Sequence, residues 1–132
     1  MIMIRAIVRP EKVDEVLSAL MYAGYPSVTK MDVFGQGKGK VDYLLLQGAQ
    51  QGYDEAINQL GPGPKLIPKR MLTVVVPNDK VDLVVRTIIR VNKTGSPGDG
   101  KIFVGPVADA IRVRTGETGD AAVADHDPAA VT

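Results

Sequence analysis

The stretch Met71-Leu-Thr-Val-Val-Val-Pro-Asn-Asp-Lys-Val-Asp-Leu-Val-Val-Arg-Thr-Ile-Ile89 carries the fold. Its first six residues form a short, partly β-branched apolar run, which reads as a buried strand. Pro77-Asn-Asp79 then suits the first turn of a helix, where proline's missing N–H is not needed and an acid meets the positive end of the dipole. Val81, Val84, Val85, Ile88 and Ile89 follow at i, i+3, i+4, i+7 and i+8, the apolar stripe of one helix face. The same order of features stands earlier in the chain. Residues 2–8 form an apolar run, Pro10-Glu11 is a helix start, and Val13, Val16, Leu17, Leu20 and Met21 repeat the stripe with identical spacing. Val13-Asp14 and Val81-Asp82 match at the head of each. Gly24 and Tyr25-Pro26 end the first helix, and Val28-Thr-Lys-Met-Asp-Val-Phe34 reads as the strand that follows. Two βαβ halves predict an α+β fold of the ferredoxin-like βαββαβ plan.

Between the halves the pattern stops. Gly35-Gln-Gly-Lys-Gly-Lys40 alternates glycine with polar residues, 41–47 is apolar enough to extend a strand, and 53–60 suits a short helix. Gly61-Pro-Gly-Pro64 breaks any element. A connection of about thirty residues is far longer than compact domains use and points to a functional arm, taken as 37–67. After the second half, Ile111-Arg-Val-Arg114 reads as a last short strand. The domain is expected to span 1–123, with a frayed tail of low apolar content at 124–132.

A chain of 132 residues suits one domain with a real core. A formal net charge of +1, no Trp and two Phe argue against a nucleic-acid partner. The absence of cysteine excludes disulfides and thiol chemistry. No 18-residue apolar run and no leader pattern occur, so a cytoplasmic protein without membrane insertion is expected. His126 is the only histidine and lies in the tail, so no metal site is expected.

Thr94-Gly-Ser-Pro-Gly-Asp-Gly-Lys-Ile-Phe-Val104 is the candidate site. Glycines allow positive φ and close approach of a ligand, and such runs can turn several N–H groups toward one anion. Lys101 adds a mobile charge. Arg112 and Arg114, two apart on the expected strand, would present paired guanidinium groups on one face. A plain helix-to-strand connection with scattered surface charge is the competing reading, since a glycine loop alone is a weak motif.

Thr94-Gly-x-x-Gly-Asp-Gly-Lys-Ile-Phe-Val104 followed by Arg112-x-Arg-Thr-Gly-Glu117 resembles the C-terminal signature of the P-II nitrogen regulatory proteins. Met3-Ile-Arg-Ala-Ile-Val-Arg-Pro10, Val28-Thr29, Gly35-x-Gly-Lys38 and Ile67-Pro-Lys69 resemble the rest of the family pattern. Lys69-Arg-Met-Leu72 and Val91-Asn-Lys-Thr94 are similar to the branch that controls nitrogenase. The resemblance implies a compact homotrimer binding ATP or ADP, with AMP a further candidate, in clefts between subunits. It implies that Gly98, Asp99, Gly100 and Lys101 surround the phosphates. Thr29, Gly35, Gly37 and Lys38 would contact the nucleotide from the other wall, with Ile7, Val75 and Thr94 lining it. Arg112 and Arg114 would reach across from a neighbouring subunit. The 37–67 arm (the T-loop) would dock on a target such as nitrogenase, an ammonium transporter or glutamine synthetase.

Two departures from that pattern matter. A glutamine that helps hold Mg²⁺ and 2-oxoglutarate in the family is replaced here by Gly39, which offers no side-chain oxygen. Mg²⁺ and 2-oxoglutarate are therefore left open, with Lys69 and Lys40 as the residues toward such an effector. The family's modifiable loop tyrosine corresponds to Gln51, with Tyr43 and Tyr53 out of frame, so uridylylation is not expected. A slow ATPase on the same loop is a competing function, although no carboxylate or histidine constellation supports it. A nucleotide-responsive trimer with a non-nitrogen target such as a transporter is compatible with the same residues, as is a metal-responsive or purely structural trimer.

Overall fold

A computed structural model describes residues 1–35 and 66–124. Gly37, Lys38, Gly39, Lys40, Gln51, Tyr43, Tyr53 and the interior of the 37–67 arm lie outside the described residues, as do His126 and most of the tail. The elements run β1 (Ile2–Val8), α1 (Val13–Tyr22), β2 (Thr29–Gly35), β3 (Ile67–Val76), α2 (Val81–Asn92), β4 (Lys101–Pro106) and α3 (Asp120–Val123). The strands form one sheet in the order β2-β3-β1-β4, every pair antiparallel. This is the ferredoxin-like arrangement that the repeat predicts.

The repeat extends to the helix starts. Each proline introduces a 3₁₀ turn, Pro10–Lys12 and Asn78–Lys80, before the α-helix begins at a valine. Lys12 N–H donates to Arg9 O and Lys80 N–H to Pro77 O, so both halves enter their helix in the same way.

One face of the sheet carries the core. Ile4, Ala6 and Val8 of β1 and Leu72, Val74 and Val76 of β3 alternate inward, as period-2 strands must. They meet Val13, Val16 and Leu20 of α1 and Val84 and Ile88 of α2. The fifth member of each helical stripe falls outside this core: Met21 is 46% exposed and Ile89 47% exposed. Both lie at i+8, where the stripe drifts past the edge of the contact face.

The opposite face is covered by neither α1 nor α2. Cross-strand register places Met31, Met71, Ile7 and Lys101 in one row and Thr29, Thr73, Arg5 and Phe103 in the next. Met31 and Phe103 are more than half exposed. On the helix-facing side of the edge strand β2, Asp32 pairs with its cross-strand neighbour Arg70 at 3.1 Å.

The strand expected at 111–114 is not formed. Arg112 N–H donates to Glu117 O and Gly116 N–H to Arg112 O, so the chain turns back on itself through Gly116 at φ +75°. Only an isolated bridge, Ile111 to Thr118, remains. A segment that must turn within three residues cannot continue a ladder, so Arg112 and Arg114 share no strand face. Residues 120–123 form the single helical turn α3. No helix among the described residues is long and apolar enough to cross a membrane.

Leu20 is fully buried between the helices and the sheet. Leu20→Ala is expected to lower stability by about 3 kcal/mol, read from the midpoint of urea unfolding.

Candidate functional site

Helix α2 ends at Asn92, and the chain must then return to start β4 beside β1. It does so through 94–100, where Gly95, Gly98 and Gly100 take φ of +83°, +96° and +110°. Gly100 has no alternative residue: a Cβ there would sit 1.8 Å from the Ile7 carbonyl oxygen. The loop is thus pressed directly against the end of the central strand.

Asp99 organises the loop from inside. Its carboxylate accepts hydrogen bonds from Thr94 N–H at 2.8 Å, Gly95 N–H at 3.0 Å and the Thr94 hydroxyl. Arg9, at the exit of β1, completes the cluster. Its Nη1 lies 3.1 Å from the Asp99 carboxylate and donates to Thr94 Oγ1 at 3.2 Å, and its Nη2 donates to Pro97 O at 2.8 Å. From β3, Lys69 Nζ donates to Gly98 O at 2.9 Å. The Thr94 hydroxyl, then the Thr94 and Gly95 N–H groups and the Arg9 charge, hold the Asp99 carboxyl below its ordinary range against a smaller opposing effect of burial. Asp99 therefore spends its charge on the loop itself.

The expected site residues divide into two groups on one sheet. Ile7, Gly35, Lys69, Thr94, Gly98, Asp99, Gly100 and Lys101 gather at the C-terminal end of β1; a Cβ on Gly35 would lie 4.0 Å from Lys69 Cγ. Lys101 is exposed and makes no hydrogen bond or ion pair among the described residues. Val75 lies four residues along, pairing with Met3 where Ile7 pairs with Met71, a separation of ~13 Å at about 3.3 Å per residue, whereas Thr29 pairs with Thr73 in the row of Arg5, two residues from Ile7. Arg112 makes no bond to the loop: its Nη2 donates to Ala124 O at 2.7 Å, and its buried Nε has no partner among the described residues. Arg114 is exposed, with no bond among the described residues. No cluster of three or more His, Asp or Glu that could hold a metal occurs among the described residues.

Arg9 is the site residue that sequence reasoning misses. Nothing in a lone arginine before a proline marks it, because its partners are 85 to 90 positions away and only the strand order brings them together.

Gly95→Ala, in open space, is expected to cost about 1–2 kcal/mol from its φ alone. Gly100→Ala, which also meets backbone, should be worse, roughly 2–4 kcal/mol, with the two compared by thermal unfolding. The lowered Asp99 pKa has a definite sign. The staple is intact above the ordinary carboxylate range and loosens only as pH falls through the depressed value. In an NMR titration of the Asp99 carboxyl carbon, Thr94→Val should move the midpoint back up.

Residues 1–117 match the family described as "Nitrogen regulatory protein P-II". The chain is 43% identical over 118 residues to the "Nitrogen fixation nifHD region GlnB-like protein 2" of Methanobacterium ivanovii, covering 89% of this chain and 95% of that one. It is 43% identical over 120 residues to "Nitrogen regulatory protein P-II 1" of Escherichia coli (strain K12), covering 91% and 97%. Among solved structures, the Arabidopsis thaliana PII bound to citrate superposes with a TM-score of 0.70 at 37% identity, over 96% of this chain and 92% of that one. With its antiparallel sheet, duplicated helix entries and stapled glycine loop, the chain belongs to the P-II nitrogen regulatory protein family.

Proposed function

We propose that the protein is a homotrimeric adenine-nucleotide sensor that regulates a nitrogen-metabolism target through its 37–67 arm. The observation that carries this reading is the spread of the expected site along one sheet, with Val75 roughly 13 Å from the Ile7 row that meets the glycine loop and Thr29 about 7 Å from it. Val75 is out of reach of a nucleotide on its own chain's loop, whereas a second copy can bring its Val75 and Thr29 against the glycine loop of the first. The sheet face opposite α1 and α2 supports assembly, because Met3, Ile7, Met31, Met71, Val75 and Phe103 place apolar surface where neither of those helices covers it.

The loop itself fits a phosphate chain. Its negative group is turned inward, the Lys101 side chain is unpaired among the described residues, and glycines at 98 and 100 supply the positive φ values that fold the loop. Asp99 is the acid nearest the phosphates in this reading, and both its oxygens are already engaged, which favours a binding role over catalysis. A nucleotide that contacts loop and arm together would shift the arm between docked and released populations. The names of the methanogen relatives, drawn from nitrogen fixation regions, favour nitrogenase over an ammonium transporter or glutamine synthetase as the target. Mg²⁺ and 2-oxoglutarate are not part of the proposal, because Gly39 supplies no side-chain oxygen and the Lys69 ammonium is bonded to Gly98 O.

Sedimentation equilibrium is expected to give three times the mass of one chain. Calorimetry should show binding of both ATP and ADP, unchanged by 2-oxoglutarate. No heat with either nucleotide at millimolar concentration defeats the nucleotide reading, and an ATP-dependent 2-oxoglutarate signal defeats the inference from Gly39.

A further inference from the structure

The two cations beside the glycine loop hold its carbonyl oxygens. Arg9 Nη2 takes Pro97 O, and Lys69 Nζ takes Gly98 O. Both peptide units are trans, and in a planar trans peptide the C=O and the following N–H point in opposite directions. Tying these two carbonyls to the cations therefore turns the next two amides, Gly98 N–H and Asp99 N–H, away from them. Neither amide donates a hydrogen bond among the described residues. The two cations also converge on Gly98, where a Cβ would lie 3.2 Å from Arg9 Nη2 and 3.5 Å from Lys69 Nζ. Glycine at 98 is what lets both approach.

We infer that Arg9 and Lys69 are positioning residues that aim the Gly98 and Asp99 amides at a bound phosphate group. This rests on the nucleotide reading proposed above. Arg9 acts twice, because the same guanidinium that fixes Pro97 O also neutralises Asp99, whose carboxylate keeps the start of the loop folded. Lys69 acts once, through Gly98 O. Cations bonded to carbonyl oxygens also polarise the peptides, making their N–H groups stronger donors on the opposite side.

The test uses the full chain with Lys69→Met, Lys69→Arg and Arg9→Leu, titrated with ADP in the absence of 2-oxoglutarate. Lys69→Met should weaken ADP binding about tenfold, equivalent to ~1.4 kcal/mol. Lys69→Arg, which can still donate to Gly98 O, should recover most of that loss. Arg9→Leu should exceed Lys69→Met, because it releases Asp99 as well. A second readout needs no nucleotide: ¹⁵N order parameters of Gly98 and Asp99 in the free protein should fall in Lys69→Met and recover in Lys69→Arg. Unchanged ADP affinity with unchanged order parameters in Lys69→Met overturns the inference. If the parent protein binds no ADP, the nucleotide reading has failed, and the order parameters alone decide whether the two cations orient the loop.

Discussion

Strand β1 pairs on both sides, with β3 along one edge and β4 along the other, and the rest of the structure depends on that double pairing. Its even-numbered residues Ile4, Ala6 and Val8 are the floor on which both helices rest. Its odd-numbered residues Met3 and Ile7 face the side opposite α1 and α2. Its exit supplies Ile7 O, against which Gly100 is pressed, and Arg9, which closes on Asp99. Because β3 and β4 both run antiparallel to it, the end of β1 meets the beginnings of the other two. The loop before β4 and Lys69 in the early part of β3 are brought to one place for that reason. A parallel neighbour would have sent them to the far end of the sheet.

At that place the electrostatics are arranged in layers. Asp99 faces the inside of the loop and is met by two N–H groups, one hydroxyl and Arg9. Lys69 and Arg9 face the carbonyls. What remains for an incoming anion is Lys101 and the amides turned outward. The acid of the glycine motif is thus a structural ligand of its own backbone, and its lowered pKa reports that role.

The two halves of the chain share their scaffold and differ in their loops. After α1, Gly24 at φ +97° and buried Tyr25 lead into β2 with little between. After α2, the corresponding passage carries the whole of 94–100. A repeated βαβ unit with a site in one copy is legible from periodicity, because periods of 2 and 3.6 residues follow from local backbone geometry. The exposure of Met21 and Ile89 was not legible, since a stripe cannot show how far the neighbouring surface extends. Nor was the turn at 113–115. Alternation of Ile111, Val113 and two arginines satisfies a strand pattern, and only the Arg112–Glu117 pairing shows that the segment folds back first.

By itself the sequence determined the two βαβ halves, the glycine loop with its lysine, the absence of thiol chemistry and the family signature, all properties of short windows. Only the tertiary structure decided that Arg9 belongs to the loop, that Asp99 turns inward, and that Val75 stands four residues along the sheet from Ile7. Those facts depend on strand order and register, which join residues up to 90 positions apart. In an antiparallel sheet a few residues of offset along a strand separate groups that the linear motif would place side by side.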